Sequence, residues 1–172
     1  MASKQSKASQ SQGLLLFHLN HSQLFALGTL KIRELVPFTE LTKIPNSHPS
    51  IMGAATVRGG TIPVIDMAAA IGFRPIEQSE LKNCFIIITD CQRMVIGFVV
   101  RAIDKIIECN WRDIEPPSSS LGKNAYLTGV TRFDGRLVQL LDVELLLSKI
   151  FPNDPTVNRA ILTDVQREKL KP

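Results

Sequence analysis

Asp66 and Asp142 come closest to chemistry in this 172-residue chain, because two carboxylates brought together can divide acid and base roles between them. Each, however, ends an apolar run and opens a short helical segment, Met67 to Ile71 and Val143 to Phe151. A carboxylate there accepts from the free N–H groups of a first turn, so capping accounts for both. His18, His21 and His48 lack the spacing of metal ligands on a helix, and Cys84, Cys91 and Cys109 form no C-x-x-C pair. The cysteines read as reduced, small apolar residues in strands rather than a disulfide framework or a zinc site. Gly59-Gly60 lacks the helix that a phosphate cradle needs and reads as a hairpin turn. With no G-x-S-x-G, H-E-x-x-H or G-x-x-x-x-G-K motif, no catalytic residue, cofactor site or metal site is predicted, and the expectation is a protein that is not an enzyme.

The elements that would position any site are dominated by a repeat. Gly53-Ala-Ala-Thr-Val-Arg-Gly-Gly-Thr-Ile-Pro-Val-Ile-Asp-Met67 recurs in weaker form at Gly129-Val-Thr-Arg-Phe-Asp-Gly-Arg-Leu-Val-Gln-Leu-Leu-Asp-Val143. Both read strand, tight turn, strand, with Val57-Arg58 set against Thr131-Arg132. The apolar runs Leu14 to Leu27 and Phe85 to Val100, each broken by a polar turn, read as hairpins about seventy residues apart. Further strands are predicted at Arg33 to Phe38, Thr42 to Ile44 and Ala102 to Cys109. Pro63 cannot donate to a ladder, which puts its strand at an edge or turns its nitrogen away from a neighbour. Many short strands with glycine turns predict an all-β fold of two small five-stranded barrels plus a short C-terminal helix, with a single sandwich as the alternative.

The expected organisation is a disordered leader at 1–13, a domain at 14–151 in two halves of about 14–72 and 84–141, and a linker or amphipathic tail helix at 152–172. No apolar run reaches the roughly 18 residues of a membrane span, so direct membrane insertion is not expected. The net charge of +4 resides mostly in the two tails, and Trp111 and Tyr126 are single. A nucleic-acid surface would show a basic face with interleaved aromatics, so no nucleic-acid partner is expected.

Val57-Arg58-Gly59-Gly60-Thr61-Ile62-Pro63-Val64-Ile65-Asp66-Met67 resembles the arginine-glycine motif of the CheW-like domains of bacterial chemotaxis, and the similarity spans Leu14 to Phe151. Ser47-His48-Pro49, Asn83-Cys84-Phe85, Asn110-Trp111 with Pro116-Pro117, and Tyr126-Leu-Thr-Gly-Val-Thr131 resemble the N-terminal domain of the CheV branch, whose receiver domain is absent from these residues. The resemblance implies two packed five-stranded barrels and a cytoplasmic adaptor recruited to membrane-bound receptor arrays. Its implied partners are the regulatory domain of the histidine kinase CheA, docked against barrel faces, and the helical tip of methyl-accepting chemoreceptors, held in an apolar groove.

Carried over by motif, the implied partner-binding residues are Ile32, Glu34, Gly53, Val57 and Arg58, with Val99 and Val100 as the other groove wall. Arg58 and Glu34 are expected to pair and fix the groove's shape, a pair costly to break from one side if buried and much less so if exposed. The alternatives are a self-associating β-barrel scaffold without a kinase partner and a nucleic-acid-binding barrel.

Overall fold

The computed structural model describes residues 10–45, 47–91, 94–117 and 126–151. The expected tail helix at 152–172, most of the leader and part of the Pro116 to Asn124 loop lie outside the described residues. Among the described residues ten strands alternate with short helical turns: β1 (Ser11–His18), β2 (Leu24–Gly28), β3 (Ile32–Pro37), β4 (Ile51–Val57), β5 (Gly60–Asp66), helix α1 (Met67–Ala70), β6 (Phe85–Cys91), β7 (Met94–Val100), β8 (Ala102–Asn110), β9 (Leu127–Phe133), β10 (Arg136–Leu141) and helix α2 (Val143–Ile150). Where a disordered leader was expected, Ser11, Gln12 and Gly13 already pair with Asn110, Cys109 and Glu108. Backbone hydrogen bonds to β8 need no apolar side chains, which is why composition misplaced this boundary.

Two five-stranded sheets form, with orders β8-β1-β2-β10-β9 and β3-β6-β7-β5-β4. They are not the closed barrels expected: among the described residues the outer strands of neither sheet pair with each other. Instead, the exposed edge of β4 is partly covered by a bridge from Thr42 to Ala54, and that of β9 by one from Glu115 to Val130. The predicted strand Thr42 to Ile44 reduces to this single bridge.

The register explains several sequence features. Leu14, Leu15, Leu16 and Phe17 are buried on both faces of β1, with Leu15 and Phe17 in the large core shared by the two sheets and Leu14 and Leu16 in a smaller core with Leu24, Ala26, Val138 and Leu140. A strand covered on both faces reads as a continuous apolar run. Pro63 lies opposite Ala54 on an interior strand, and Ala54 exchanges both of its backbone hydrogen bonds with Thr42 on the far side. Pro63 and Ala54 are thus a non-hydrogen-bonded pair, so the nitrogen is turned away from β4, the second of the two predicted placements, and toward β7, whose ladder with β5 begins only at Val64.

Asp66 and Asp142 both cap helices. Asp66 Oδ1 accepts from Ala69 N at 3.1 Å and its Oδ2 from Ile76 N at 2.8 Å, while Asp142 Oδ1 accepts from the amides of Glu144 and Leu145. Cys84, Cys91 and Cys109 are free and buried, and burial pushes the Cys84 and Cys91 thiols up, which keeps them unreactive.

Candidate partner-binding groove

The groove grows out of a hairpin turn and an edge strand. Arg58 and Gly59, with φ of 50° and 78°, form a two-residue turn between the paired residues Val57 and Gly60. Two successive positive φ angles define a type I′ turn, whose twist matches that of the flanking strands. The turn is therefore Arg58-Gly59 rather than Gly59-Gly60, and Arg58 lies in the turn rather than in a strand. In the second copy, Asp134 and Gly135 adopt φ of 49° and 72° between Phe133 and Arg136. The structural counterpart of Arg58 is thus Asp134, and the alignment of Arg58 with Arg132 is corrected.

From this turn the Arg58 guanidinium reaches β3, the strand at the opposite end of the sheet order. Its Nε donates to Glu34 Oε2 at 3.0 Å and a terminal nitrogen donates to Glu34 Oε1 at 2.9 Å. The sheet thus curls until its two margins are joined by a bidentate ion pair instead of a ladder. The hydrogen bonds from Arg58, with its charge, hold the Glu34 carboxyl below its ordinary range. The pair is exposed, not buried, with 80% of the Arg58 side chain accessible, so its value to stability is small.

The same seam in the other sheet carries reversed charge. Through the pairings of β3 with β6 and β8 with β1, Arg33 and Glu34 correspond to Asp104 and Lys105. Lys105 lies 5.3 Å from the ring centroid of Phe133, a cation–π contact where the first seam has its ion pair. Two equivalent margins of one duplicated fold therefore present different chemistry.

Between the sheets lies a shallow depression of about 310 Å³ lined by Leu15, Thr29, Ile32, Glu34, Leu35 and Ile106. Leu35 and Ile106 are counterparts in the duplication, so the groove straddles the relation between the halves. Ile106 is 62% exposed and Leu35 37%, and Leu30 at the margin is 95% exposed. The structure brings Ile32 and Glu34 into this wall, with Arg58 at its rim through the ion pair.

It does not bring Val99 and Val100 there. Both are fully buried on β7, an interior strand paired with β5 and β6, so they are core residues and present no surface. Ile106 and Leu35 take the place assigned to them; their signal was apolar side chains next to charged pairs on edge strands. Val57 ends β4 partly buried against the core. Gly53 has a structural reason to be small: a Cβ there would sit 2.8 Å from the Thr42 carbonyl oxygen, and one at its counterpart Gly129 would sit 2.5 Å from Ile114 Cγ2. Each glycine lets a bridging segment press onto the sheet edge.

Among the described residues no group of three or more His, Cys, Asp and Glu side chains is placed to hold a metal. Nor is any helix among them long and apolar enough to cross a membrane.

The CheW-like domain model matches residues 13–151, which contain both sheets and the groove. The chain belongs to the CheW-like domain family. It is 29% identical over 139 residues to chemotaxis protein CheV3 of Helicobacter pylori, covering 78% of this chain and 44% of that protein. It is 29% identical over 139 residues to a probable chemotaxis protein CheW of Rhizobium etli, covering 79% of this chain and 87% of the relative. Both branches of the family are thus represented, and the chain spans less than half the length of the CheV relatives. Its fold matches the crystal structure of the scaffolding protein TtCheW from Thermoanaerobacter tengcongensis with a TM-score of 0.70 at 26% identity, covering 78% of this chain and 86% of that one.

Proposed function

We propose that this CheW-like domain is a chemotaxis adaptor that couples the histidine kinase CheA to chemoreceptors in signal transduction. In this reading the helical cytoplasmic tip of a methyl-accepting chemoreceptor lies in the groove between the sheets, and the kinase's regulatory domain docks against a sheet face. The module works by binding alone, at receptor arrays on the cytoplasmic side of the membrane.

The observation that carries the proposal is the groove itself. Ile32, Leu35 and Ile106 supply apolar side chains on strands above the buried Leu15, and the Glu34–Arg58 pair supplies a polar rim. Apolar anchors bounded by fixed charge are what an amphipathic helix needs to be held in one register. A second depression lined by Arg112, Asp113, Glu115, Val130, Arg132 and Leu137, with Trp111 exposed beside it in sequence, suits a protein contact of the kind the kinase domain would make.

The test is a titration of the chain against a receptor cytoplasmic fragment and the kinase regulatory domain, together and separately, with wild type and Arg58→Ala in parallel. A ternary complex whose receptor arm alone is weakened by Arg58→Ala is the expected result. Binding of neither partner at tens of micromolar, of order −6 kcal/mol, removes the adaptor reading. A mass that rises with concentration in the absence of partners would favour the self-associating scaffold.

A further inference from the structure

The margin of the groove is built on a segment with little to hold it. Thr29–Lys31 forms a single 3-10 turn carrying the chain from β2 in one sheet to β3 in the other. It has no side-chain cap, none of its three residues is buried, and Leu30 at its centre is 95% exposed. Yet its first residue, Thr29, and the residue after it, Ile32, line the groove, so the position of this turn sets the groove's width on one side.

The turn rests on β1, where a Cβ on Gly13 would sit 2.6 Å from Thr29 Oγ1, and a long-range ion pair ties its C-terminal end to the last helix. Lys31 Nζ lies 2.7 Å from Glu144 Oε1, in the first turn of helix α2 and 113 residues away in sequence. The site is unfavourable for a cation without that partner, because a helix N-terminus carries partial positive charge. Glu144 and the capping carboxylate of Asp142 reverse the local field. The ammonium is therefore held by a specific acceptor on the helix rather than by the general charge of the surface.

We propose that the Lys31–Glu144 bridge is a latch through which helix α2 positions the lip of the groove, so that displacing the first turn of α2 weakens binding of the groove's helical occupant. The binding half of this proposal rests on the groove reading above. The mechanical half does not, since it concerns only how the Thr29–Ile32 segment is held. The side chains are 48% and 24% exposed, so the latch is weak enough to be opened and sensitive to ionic strength.

The experiment uses the full chain with Lys31→Glu, Glu144→Lys and the double exchange, with Glu144→Gln as a shape-preserving variant should charge reversal disturb the helix. Amide hydrogen exchange is followed at residues 29–32, and affinity for a chemoreceptor cytoplasmic fragment is measured at low and high salt. Each single variant is expected to accelerate exchange in that segment and to lower affinity roughly two- to fivefold, the range a pair of this exposure supports. The double exchange is expected to restore both. Exchange at residues 29–32 that ignores the pair, or that fails to recover in the double exchange, overturns the latch. Affinity that stays constant while exchange accelerates overturns its link to the groove. A wild-type chain that does not bind the fragment removes the groove reading and the link with it, and the exchange measurement alone then decides the latch.

Discussion

At the scale of the residue, Arg58 is an unfavourable choice for the place it occupies. The first central position of a type I′ turn has positive φ, which glycine and asparagine tolerate and long side chains do not favour. What arginine supplies is the reach to Glu34 and a guanidinium left mostly in solvent. An exposed pair adds little to stability, so its use must lie in recognition or in fixing the seam. Arg58→Asn separates these, because Asn-Gly is well suited to the turn and cannot span to Glu34. The melting temperature of this variant is expected to equal or exceed that of wild type, while receptor-fragment affinity falls roughly tenfold, the scale of a lost charge-assisted hydrogen bond. A stability loss with unchanged affinity would assign Arg58 to the scaffold. The pair itself was legible in the sequence through motif resemblance, whereas the turn was displaced by one residue because Gly59-Gly60 is the stronger compositional signal.

At the scale of the element, the two capping aspartates look equivalent in sequence and differ in the structure. Among the described residues the Asp142 side chain serves only the first turn of α2, but that of Asp66 also accepts from the amide of Ile76, in the connector that leads to the second half. That bond is buried, so its loss leaves an unsatisfied donor as well as an uncapped helix. Asp142→Ala is expected to cost about 0.5–2 kcal/mol and Asp66→Ala about 2–4 kcal/mol, read from urea midpoints. Equal losses would mean that the Ile76 contact contributes nothing. The same connector is held by Arg101, whose guanidinium donates to the Leu19 carbonyl, to Glu80 and to the Arg74 carbonyl. The Glu77 amide and Arg101 together hold the Glu80 carboxyl below its ordinary range. A lowered folded value means that this stabilisation is complete above the ordinary pKa of 4.5 and is lost as pH falls below it. Urea midpoints of wild type should therefore drop more steeply between about pH 5 and pH 3 than those of Glu80→Gln, and parallel curves would count against the assignment. Periodicity exposed the strands and both caps, but not this network, because nothing local in the sequence ties Arg101 to a turn more than eighty residues before it.

At the scale of the whole molecule, the duplication and the sheets do not coincide. Each half contributes a hairpin, a third strand and a second hairpin, yet β1 and β2 sit between β8 and β10, while β6 and β7 sit between β3 and β5. Each half thus donates its first hairpin to the other's sheet, through parallel pairings of β2 with β10 and β5 with β7. The sequence shows which segments are strands and that they repeat. It does not show the exchange, because the first hairpin's apolar pattern satisfies either sheet equally well. The exchange has a consequence for cooperativity. Neither half can complete a sheet alone, since β1 and β2 alone leave their buried outer faces and ladder edges without partners, and β3 and β5 lose the pair that separates them. A polypeptide of residues 10–72 and one of residues 73–151 are each expected to give poorly dispersed NMR spectra. Their mixture should recover the dispersed spectrum of the intact domain, which itself unfolds in one transition. The groove offers an independent reading of the same experiment, because Ile32 and Leu35 come from one half and Ile106 from the other. Receptor-fragment binding should therefore appear only in the mixture, and a well-dispersed spectrum or fragment binding from either half alone would show that the exchanged hairpins are not what joins the two sheets into one folding unit.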